Sequence, residues 1–588
     1  MPAGGAGAGT EARPYDNGIL LPWMTSFTPP ARGSAEVKNG AMCLTVEQPG
    51  KDRWDAQLRH REMILQQGHS YRLSFKVWAS RATRITVKVG KSGPPYTDYW
   101  TRMIPLTKNP QVISTEFRMA HPDDATVELA LHAGGAMVTG IEPVELCFDD
   151  VVLSDPEYIP QPPAPVAIVP KIRVNQLGYL PHAAKLATWV SLDTAPHRWE
   201  LLDSAGQVVA RGETIVHGPD ISSGDSVHVI DFSGFERSAQ SLVLQVGGDK
   251  SDAFAVGARI YRSLARDALR FFYHNRSGIA VEMPQAGRPE WARPAGHTAR
   301  CLTAAQTAWV AATAHPDLFA PATDSMGGGA YEDSEVQDEF YWAAAELYLT
   351  TGRPEYQRSL TESRLDGAIA PDLVVNGRAT SSAATWQRVD VLCKISLALA
   401  PNPVAKGRAN FYRKQLRDTA DQLLATRAHQ GYRFPMESGA DGAYPWGSNS
   451  LVLGNMVLLG AAADFTGADK YLARVVSGMD YLLGRNALGQ SYVTGYGTRP
   501  LRNPRHRFWA HQANPKYPTA PPGIVSGGPN SRIQDPYSVA AGLKGCPLQK
   551  CFVDHIEAYS VNELAINWNA ALLWAAAWLD EHGTASAQ

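Results

Sequence analysis

The 588-residue chain lacks three features that would place it in common classes of protein. Its net charge is −2, from 55 Lys and Arg against 57 Asp and Glu, so it offers no general attraction to nucleic acid or to an anionic membrane. No apolar run is as long as a transmembrane helix. Residues 1–9 lack the basic and apolar regions of a secretory signal, so we expect that a signal lies outside this chain or that the protein stays inside the cell.

Cysteine is also scarce, with six residues, too few for a disulfide-dense scaffold. Cys546 and Cys551 close a short loop, and Cys43 and Cys147 lie at opposite ends of a β-rich region. Two disulfides would fit an oxidising compartment, and unpaired buried thiols are the alternative. No Cys or His spacing typical of a zinc site occurs, so we expect no required cofactor, and the metal ligands are unknown. A structural Ca²⁺ stays open, because its oxygen ligands rarely form a sequence pattern.

The length and the patterns predict three domains. Residues 1–157 alternate apolar and polar side chains in short runs, as in residues 71–77, which predicts an antiparallel β-sandwich. Residues 158–170 form a Pro-rich linker. Further short strands follow in residues 171–258, and residues 259–588 are helical. The 51 Gly, 41 Pro and 15 Trp fit a loop-rich protein that faces carbohydrate.

The helical region shows apolar residues at helix spacing in a series of segments separated by short connections. These segments are residues 260–273, 302–313, 339–349, 390–399, 411–426, 449–465, 468–483 and 560–579. Several end at Gly or Pro, as at Gly352 and Pro354. Successive helices of this kind predict a helical toroid, whose inner ends and connecting loops would form a cleft.

One stretch near the C-terminus groups two carboxylates and a Tyr, and reads Phe552-x-Asp554-x4-Tyr559-x3-Glu563-x-Ala565-x3-Asn569-Ala570. The same residues fit a capping box, in which Ser560 opens an amphipathic helix and Glu563 lies in its first turn. A carboxyl among Tyr559, Trp568 and Phe552 would be poorly solvated, which raises its pKa. Such a carboxyl stays protonated near neutral pH, as an acid that protonates a leaving group must.

This pattern resembles the acid-bearing signature of glycoside hydrolase family 9, the cellulase family with an all-α (α/α)6 barrel. Residues 288–297, 338–349 and 444–449 also resemble barrel segments of that family. The resemblance implies an endo-acting enzyme that hydrolyses β-1,4-glucan with inversion, with Glu563 as the catalytic acid. Asp554 is in that family an active-site residue that supports the catalytic geometry. The implied partner is cellulose or a related β-glucan, and the implied location is secreted or periplasmic.

Three aromatic residues are candidates for contact with sugar in this site. Tyr444 and Trp446 lie on a loop before a helix and are natural candidates for stacking on sugar rings, with structural aromatics as the alternative. Tyr559 belongs to the acid signature itself.

The first β-region contains segments that resemble the cleft residues of carbohydrate-binding modules of the family 4 and 9 group. The candidates there are Trp54, Gln57, Tyr96 and Trp100. The aromatic rings would stack on glucose units, and the Gln57 amide would form hydrogen bonds to the glucose hydroxyls. The alternative is that these aromatics belong to the strand core. Residues 171–258 resemble the immunoglobulin-like domain that precedes the barrel in one branch of family 9, where it covers a face of the barrel.

The first departure from the family concerns the catalytic base. An inverting glycosidase needs a second carboxylate, roughly 6.5–9.5 Å from the acid, to deprotonate water. In family 9 this base lies in an Asp-Ala-Gly-Asp segment, and no such segment occurs in this chain. Instead, His297 to Arg300 run directly into Cys301, where a helix typical of a later part of the barrel begins. We therefore expect an incomplete barrel, with an internal deletion near residues 297–301 on the order of a hundred residues.

The second departure lies in residues 491–507, which resemble the family's other signature, where Pro is followed by His-x-Arg. Here Pro504 is followed by Arg505, so the His that would bond the sugar is replaced. Arg507 keeps its place and can fork to sugar hydroxyls or to a carboxylate. His506 should point elsewhere. An ordinary solvated Arg-rich loop is the alternative.

Three hypotheses remain for the whole chain. The first is hydrolysis of β-1,4-glucan, with Asp554 or an acid of residues 331–339 recruited as base, although acids at a helix N-terminus also favour the macrodipole. The second is a non-catalytic β-glucan-binding protein. The third is a truncated product that does not fold beyond residue 258.

Overall fold

The computed structural model describes residues 10–11, 23–93, 95–138, 143–158, 169–275, 280–283, 288–293, 301–319, 333, 335–367, 373–375, 378–380, 384–399, 408–425, 430–439, 441–513 and 517–585. Residues 297–300 at the predicted deletion and most of the predicted linker 158–170 lie outside these residues. The chain divides into two compact units, Met1–Ala167 with Val539–Gly542 and Ile168–Ser538 with Leu543–Gln588. None of the described helices has both the length and the apolar character needed to cross a membrane.

The first unit is an antiparallel β-sandwich, as predicted. Its strands are β1 (Thr10–Glu11), β2 (Trp23–Phe27), β3 (Arg32–Lys38), β4 (Ala41–Gln48), β5 (Ala56–Leu65), β6 (Ser70–Ala79), β7 (Thr83–Lys91), β8 (Asp98–Leu106), β9 (Gln111–Arg118), β10 (Asp124–His132) and β11 (Val144–Ser154). One sheet has the order β3-β4-β11-β6-β9 with β1 beside β11, and the other has the order β2-β5-β10-β7-β8. Alternation in β6 buries Tyr71, Leu73, Phe75 and Val77 between the sheets.

Both predicted cysteine pairs are disulfides. Cys43 of β4 and Cys147 of β11 are directly opposed in the ladder and are bonded, and Cys546 is bonded to Cys551. Cys393 is a buried free thiol. Cys43, Glu145 and Cys147 are the one group of three or more donor side chains close enough for a shared metal among the described residues, and the disulfide removes both thiols as ligands.

The second unit begins with a smaller β-sandwich, the predicted immunoglobulin-like domain. Its strands are β12 (Ile172–Arg173), β13 (Gly178–Tyr179), β14 (Leu186–Val190), β15 (Arg198–Leu202), β16 (Val208–Glu213), β17 (Ile215–Asp220), β18 (Asp225–Asp231), β19 (Ala239–Val246), β20 (Asp249–Lys250) and β21 (Phe254–Val256). One sheet has the order β12-β14-β18-β17, and the other β13-β21-β19-β15-β16 with β20 beside β19.

Buried polar contacts join this sandwich to the helices that follow it. Asn175 Nδ2 donates to Asp480 Oδ1 (2.9 Å) and to the Tyr261 hydroxyl (3.0 Å). Lys550 Nζ pairs with Asp225 Oδ1 at 2.7 Å. The sandwich therefore covers part of the helical domain, which fits a structural role.

The rest of the second unit is helical. Its helices are α1 (Arg262–Asn275), α2 (Cys301–Ala314), α3 (Gln337–Thr351), α4 (Pro354–Thr361), α5 (Asp390–Leu399), α6 (Ala409–Ala425), α7 (Ser448–Thr466), α8 (Asp469–Leu482), α9 (Pro536–Ala540), α10 (Tyr559–Asn562) and α11 (Ile566–Ala585), and a hairpin of β22 (Leu373–Val375) and β23 (Arg378–Thr380) follows α4. The pairs α3 and α5, α5 and α6, α6 and α7, α7 and α8, and α1 and α11 pack together. α3 ends at Gly352, whose φ of 70° gives the left-handed cap that the sequence predicted.

The helix α7 lies at the centre of this packing and is buried on nearly all sides. It also packs against α11. Gly460 permits this contact, because a Cβ there would lie 2.6 Å from the Trp574 ring of α11. The loops before α7 and before α11 are consequently held at the same end of the helical domain, where the predicted site lies.

Candidate active site

Glu563 lies in the break between α10 and α11, so the predicted capping box is wrong. α10 ends at Asn562, and Glu563 has extended backbone with φ −62° and ψ 156°. Ser560 does not cap a long helix, because its hydroxyl and its N–H both donate to the buried Asp535 carboxylate. The Glu563 carbonyl accepts the Gly527 N–H at 2.8 Å. The chain around Glu563 is therefore fixed by partners distant in sequence.

The Glu563 side chain is half-buried beside two aromatic rings. Trp446 Nε1 donates to Glu563 Oε2 at 3.0 Å, and the Trp446 and Tyr559 rings lie 5.8 Å apart at 38°. Burial raises the pKa of Glu563, while the Trp446 hydrogen bond and the Arg505 charge oppose this shift. The expected low solvation is present, and sequence reasoning had assigned Trp446 only a stacking role.

Asp554 holds the loop that faces Glu563. Its Oδ2 accepts the Arg502 N–H at 2.7 Å and its Oδ1 accepts the Asn503 N–H at 2.8 Å. The Asn562 amide donates to Oδ1 at 3.2 Å. Burial raises the pKa of Asp554 and these hydrogen bonds oppose the shift. Because both oxygens accept hydrogen bonds from the backbone, the geometry fits a supporting residue better than a base that must accept a proton from water.

Arg505 lies on the same loop and is next to Glu563. Its N–H donates to the Asn562 carbonyl at 2.8 Å, which places it opposite Glu563 in an isolated bridge. Its guanidinium lies 5.9 Å from the Tyr559 ring centroid and pairs with Glu557 Oε2 at 3.2 Å. Sequence reasoning did not select Glu557, because a separation of 52 residues from Arg505 leaves no local pattern.

The next two residues of the loop point in different directions. His506 Nδ1 accepts the N–H groups of Phe508 and Trp509 at 3.2 and 3.1 Å, and its ring stacks on Trp509 at 4.2 Å. Burial lowers the pKa of His506 to about 4. Arg507 is exposed, and no hydrogen bond or ion pair joins it to the described residues. Arg507 is therefore open to a ligand, and its substrate-binding role stays a prediction.

The predicted sugar-stacking role of Tyr444 is wrong. Its side chain is 0% exposed and lies 6.5 Å from the Phe434 ring, so it cannot stack on a sugar. The backbone N–H of Tyr444 donates to Ser531 Oγ at 2.9 Å. The structural alternative that the sequence left open therefore holds for Tyr444, while the nearby Trp446 is half-buried and contacts Glu563.

The candidate residues of the first unit also differ in how far their side chains are exposed. Trp54 is 48% exposed and Tyr96 is 59% exposed, and Gln57 Nε2 donates to the Trp54 carbonyl at 2.9 Å. Trp100 is half-buried, pairs with the buried Val89 across β8 and β7, and stacks on Phe117 of the other sheet at 6.3 Å, so its role in binding sugar stays a prediction. Trp100 thus faces the edge of the core, whereas Trp54 and Tyr96 keep faces that a sugar ring could cover.

The outer face of the β2-β5-β10-β7-β8 sheet carries charged residues that sequence reasoning missed. Lys88 and Glu128 are each 3% exposed and pair at 3.4 Å, and Lys88 also pairs with Asp98 at 3.5 Å. His132 is 4% exposed, and burial lowers its pKa to about 3. Gln57 lies directly opposite His132 in the ladder, so it borders this group of buried polar side chains.

The acidic cluster of residues 331–339 is described only in part, since residues 331, 332 and 334 lie outside the described residues. Asp338 accepts the Val389 N–H at 2.7 Å and thus ties α3 to the start of α5. Burial and the neighbouring Asp338 raise the pKa of Glu339 to about 7. Asp338 therefore has a structural role, and a function as base is not favoured by its contacts.

A β-sandwich with exposed aromatics, an immunoglobulin-like sandwich and a helical domain with a half-buried carboxyl beside Trp and Tyr together define a modular glycoside hydrolase. Family models match three parts of the chain: Carbohydrate binding domain at residues 14–139, Cellulase N-terminal ig-like domain at 168–251, and Glycosyl hydrolase family 9 at 294–576.

Curated relatives extend the match over almost the whole chain. It is 34% identical to a cellulose 1,4-beta-cellobiosidase of Acetivibrio thermocellus, over 97% of this chain and 86% of that protein. It is 30% identical to endoglucanase C of Cellulomonas fimi, over 93% of this chain and 64% of that protein. A metagenome-derived family 9 endoglucanase shares the fold with a TM-score of 0.58 and 23% identity, over 70% of this chain and 98% of that structure. The chain belongs to glycosyl hydrolase family 9.

Proposed function

We propose that this chain binds β-1,4-glucan and hydrolyses it with inversion, with Glu563 as the proton donor. The observation that carries the proposal is the half-buried Glu563 carboxyl, which burial favours in its protonated form. The relatives described as a cellulose 1,4-beta-cellobiosidase and as endoglucanases support β-1,4-glucan as the substrate class.

The Trp446 hydrogen bond orients the acid. Because the indole N–H donates to Glu563 Oε2, that oxygen is the acceptor and the acidic proton resides on Oε1. In the reaction, Oε1 gives this proton to the glycosidic oxygen as the bond from that oxygen to C1 breaks. Water attacks C1 from the opposite face, and its proton passes to a base or to solvent.

Trp446 and Tyr559 supply the sugar-facing surface in this proposal. Their rings lie side by side at 5.8 Å and both remain partly exposed. Apolar ring faces of this kind stack on the faces of glucose units. Exposed Arg507 adds hydrogen-bond donors for hydroxyls on the same loop as Arg505.

We also infer that the chain lacks the barrel segment that carries the family's base. The alignment with the A. thermocellus relative runs over 770 positions, although this chain has 588 residues, so gaps must fall on the side of this chain. Helix α2, directly after the predicted deletion, is exposed at most positions and carries no charged residue. A mainly apolar groove of ≈ 760 Å³ between α2 and α3, the α2–α3 groove, is lined by Leu302, Trp309, Phe340 and Leu347 among others. A face of this kind fits the loss of neighbouring helices.

A missing base sets the expected rate. General bases contribute about 10²–10⁴-fold, so hydrolysis should be slower by about this factor than in a relative with the segment. Azide needs no deprotonation and can attack C1 while Glu563 protonates the leaving oxygen. We therefore expect azide to increase bond cleavage by the native chain and to yield a glycosyl azide of inverted configuration.

The test incubates the native chain and Glu563→Gln with soluble β-1,4-glucan, with and without azide, and measures new reducing ends and glycosyl azide. Glu362→Gln, in an exposed turn after α4, is the matched control. Fast release without azide would overturn the inferred loss of the base. Retardation of the chain in a gel containing the glucan, with no cleavage under any condition, would overturn hydrolysis and favour a binding protein.

The first unit supplies a second binding surface in this proposal. Trp54→Ala and Tyr96→Ala should weaken retardation in the glucan gel, because each removes an exposed ring. Trp100→Phe keeps an apolar ring at the edge of the core and should leave retardation nearly unchanged. Equal losses in all three variants would argue against a sugar surface at Trp54 and Tyr96.

Two further parts of the proposal concern location and cofactors. The disulfides Cys43–Cys147 and Cys546–Cys551 support an oxidising compartment, so we infer that the protein is secreted or periplasmic. The proposed reaction uses a carboxyl, water and substrate, and any Ca²⁺ would have a structural role.

A further inference from the structure

The Arg505 guanidinium lies within the field of two carboxylates. Its Nη1 donates to Glu557 Oε2 at 3.2 Å and to the Ile556 carbonyl at 3.4 Å. Its backbone is bridged to Glu563, and its charge favours the ionised form of that residue. One permanent cation is therefore shared between the acid and a second carboxylate that no motif identifies.

We propose that Glu557 is a positioning residue that holds the Arg505 guanidinium in an ion pair and thereby keeps the Glu563 carboxyl available as a proton donor. The proposal rests on the proposed function of Glu563. It follows from the replacement noted above, since Arg505 stands where a neutral or titratable His would otherwise stand next to the acid.

The electrostatic argument depends on what surrounds the acid. An uncompensated guanidinium near a carboxyl stabilises the carboxylate and so favours loss of the proton. A second carboxylate paired with the guanidinium has the opposite effect, because it neutralises part of the positive charge that Glu563 would otherwise face. The half-exposed environment of the pair weakens both effects without cancelling them.

The other charged or titratable groups on the segments around Arg505 differ in their contacts, since Arg507 is exposed on the same loop and the Tyr559 ring lies 5.9 Å from the Arg505 guanidinium. Asp554 accepts backbone N–H groups, Asp535 accepts hydrogen bonds from Ser538 and Ser560, and burial holds the pKa of both His506 and His555 near 4. These groups come from the loop after α8, from the start of α9 and from the turn before α10. Among the described residues, Arg505 is the one charged residue whose charge shifts the pKa of Glu563, and it lowers that pKa.

Three variants separate the two charges. Glu557→Gln leaves Arg505 uncompensated, so the titration midpoint of Glu563 should fall by about 0.5–1 pH unit. Arg505→Gln should raise the midpoint by a similar amount, because the cation is removed and Glu557 stays. In the double variant the cation that Glu557 holds is absent, so the midpoint should match that of Arg505→Gln, whereas a return to the native midpoint would mean that the two charges act on Glu563 independently. A purely structural role for Glu557 would not give opposite signs.

The readout is the indole N–H resonance of Trp446 in a chain labelled with ¹⁵N-tryptophan, because that N–H donates directly to Glu563. Trp446→Phe assigns the resonance among the 15 Trp residues. Glu563→Gln should abolish its titration, and Glu362→Gln should leave the midpoint unchanged. This readout does not require turnover, so failure of the ion-pair proposal and failure of the proposed hydrolysis give different results.

The expected result is a lower midpoint in Glu557→Gln and a higher one in Arg505→Gln. An unchanged midpoint in both variants would overturn the proposal. If Glu557→Gln does not fold, Arg505→Gln and Arg505→Lys still test it, and a midpoint in Arg505→Gln at or below the native value would refute it. Where the chain turns over glucan, the alkaline limb of kcat/KM should move to lower pH in Glu557→Gln.

Discussion

The loops around Glu563 and the helix α2 belong to the same domain but are stabilised in opposite ways. Around Glu563, the side chains of Asp554, Asn562 and Trp446 all make hydrogen bonds to groups distant in sequence. Along α2, most side chains are exposed, and its apolar face borders the open α2–α3 groove. The loops around Glu563 are therefore held by long-range hydrogen bonds, while α2, beside the predicted deletion, is mostly exposed.

This difference agrees with the inference that Glu563 is positioned without the barrel segment that we propose to be missing. The elements that hold Glu563 are the loop before α7, the loop after α8 and the turn before α10. All of them lie after the predicted deletion in the chain. The proposed loss of earlier helices would thus remove the family's base segment and leave the surroundings of Glu563 in place.

The largest expected effect is on catalysis. Glu563→Gln should lower reducing-end release by about 10²–10⁴-fold, because the amide cannot donate the proton that the leaving oxygen requires. Retardation by the glucan should change little. Assays with the native chain and with Glu362→Gln measure this contrast, and equal release from all three proteins would show that another group is the acid.

The next effect compares two leucines directly. Leu459 of α7 is 0% exposed and Leu302 of α2 is 47% exposed. Leu459→Ala should reduce the free energy of unfolding by about 2–5 kcal/mol, because it leaves a cavity in the packed centre. Leu302→Ala should change it by about 0.5 kcal/mol or less. Urea unfolding of both variants tests the comparison, and a large loss in Leu302→Ala would mean that α2 is covered in solution.

A third variant tests how the acid side is held. In Asp554→Asn an NH₂ group replaces one of the two carboxylate oxygens, and it cannot accept the hydrogen bond from the backbone N–H that faces it. We therefore expect the free energy of unfolding to fall by about 1–3 kcal/mol. Urea unfolding at pH 7 measures it. Unchanged stability with lost turnover would instead favour Asp554 as a recruited base.

The smallest effect is a dependence of stability on pH. Burial raises the pKa of Glu563 in the folded state above its ordinary value, so the folded state binds the proton more tightly than the unfolded state. This residue therefore costs no stability below that value and costs progressively more as the pH rises through the folded pKa. Glu563→Gln should raise the Tm at pH 7 and not at pH 4. An equal Tm change at both values would contradict the burial of a titrating carboxyl.

Local patterns in the sequence were sufficient for much of the fold. Alternation in residues 71–77 predicted a strand that β6 contains, and the apolar period of residues 449–465 predicted α7. The same kind of pattern failed at residues 560–579. The capping box there was locally plausible. In the structure, however, the Ser560 hydroxyl and N–H donate hydrogen bonds to Asp535, and the helix is interrupted at Glu563.

The sequence by itself predicted the three kinds of domain and singled out the two possible cysteine pairs and Glu563 as candidate acid, because periodicity and motif spacing are local properties of the chain. Tertiary structure alone decided that Trp446 bonds Glu563 across 117 positions, that Glu557 pairs with Arg505, and that Tyr444 is buried. Which face of an aromatic ring is covered, and which carboxylate shares a cation, depend on how distant segments pack. Local pattern does not encode that packing.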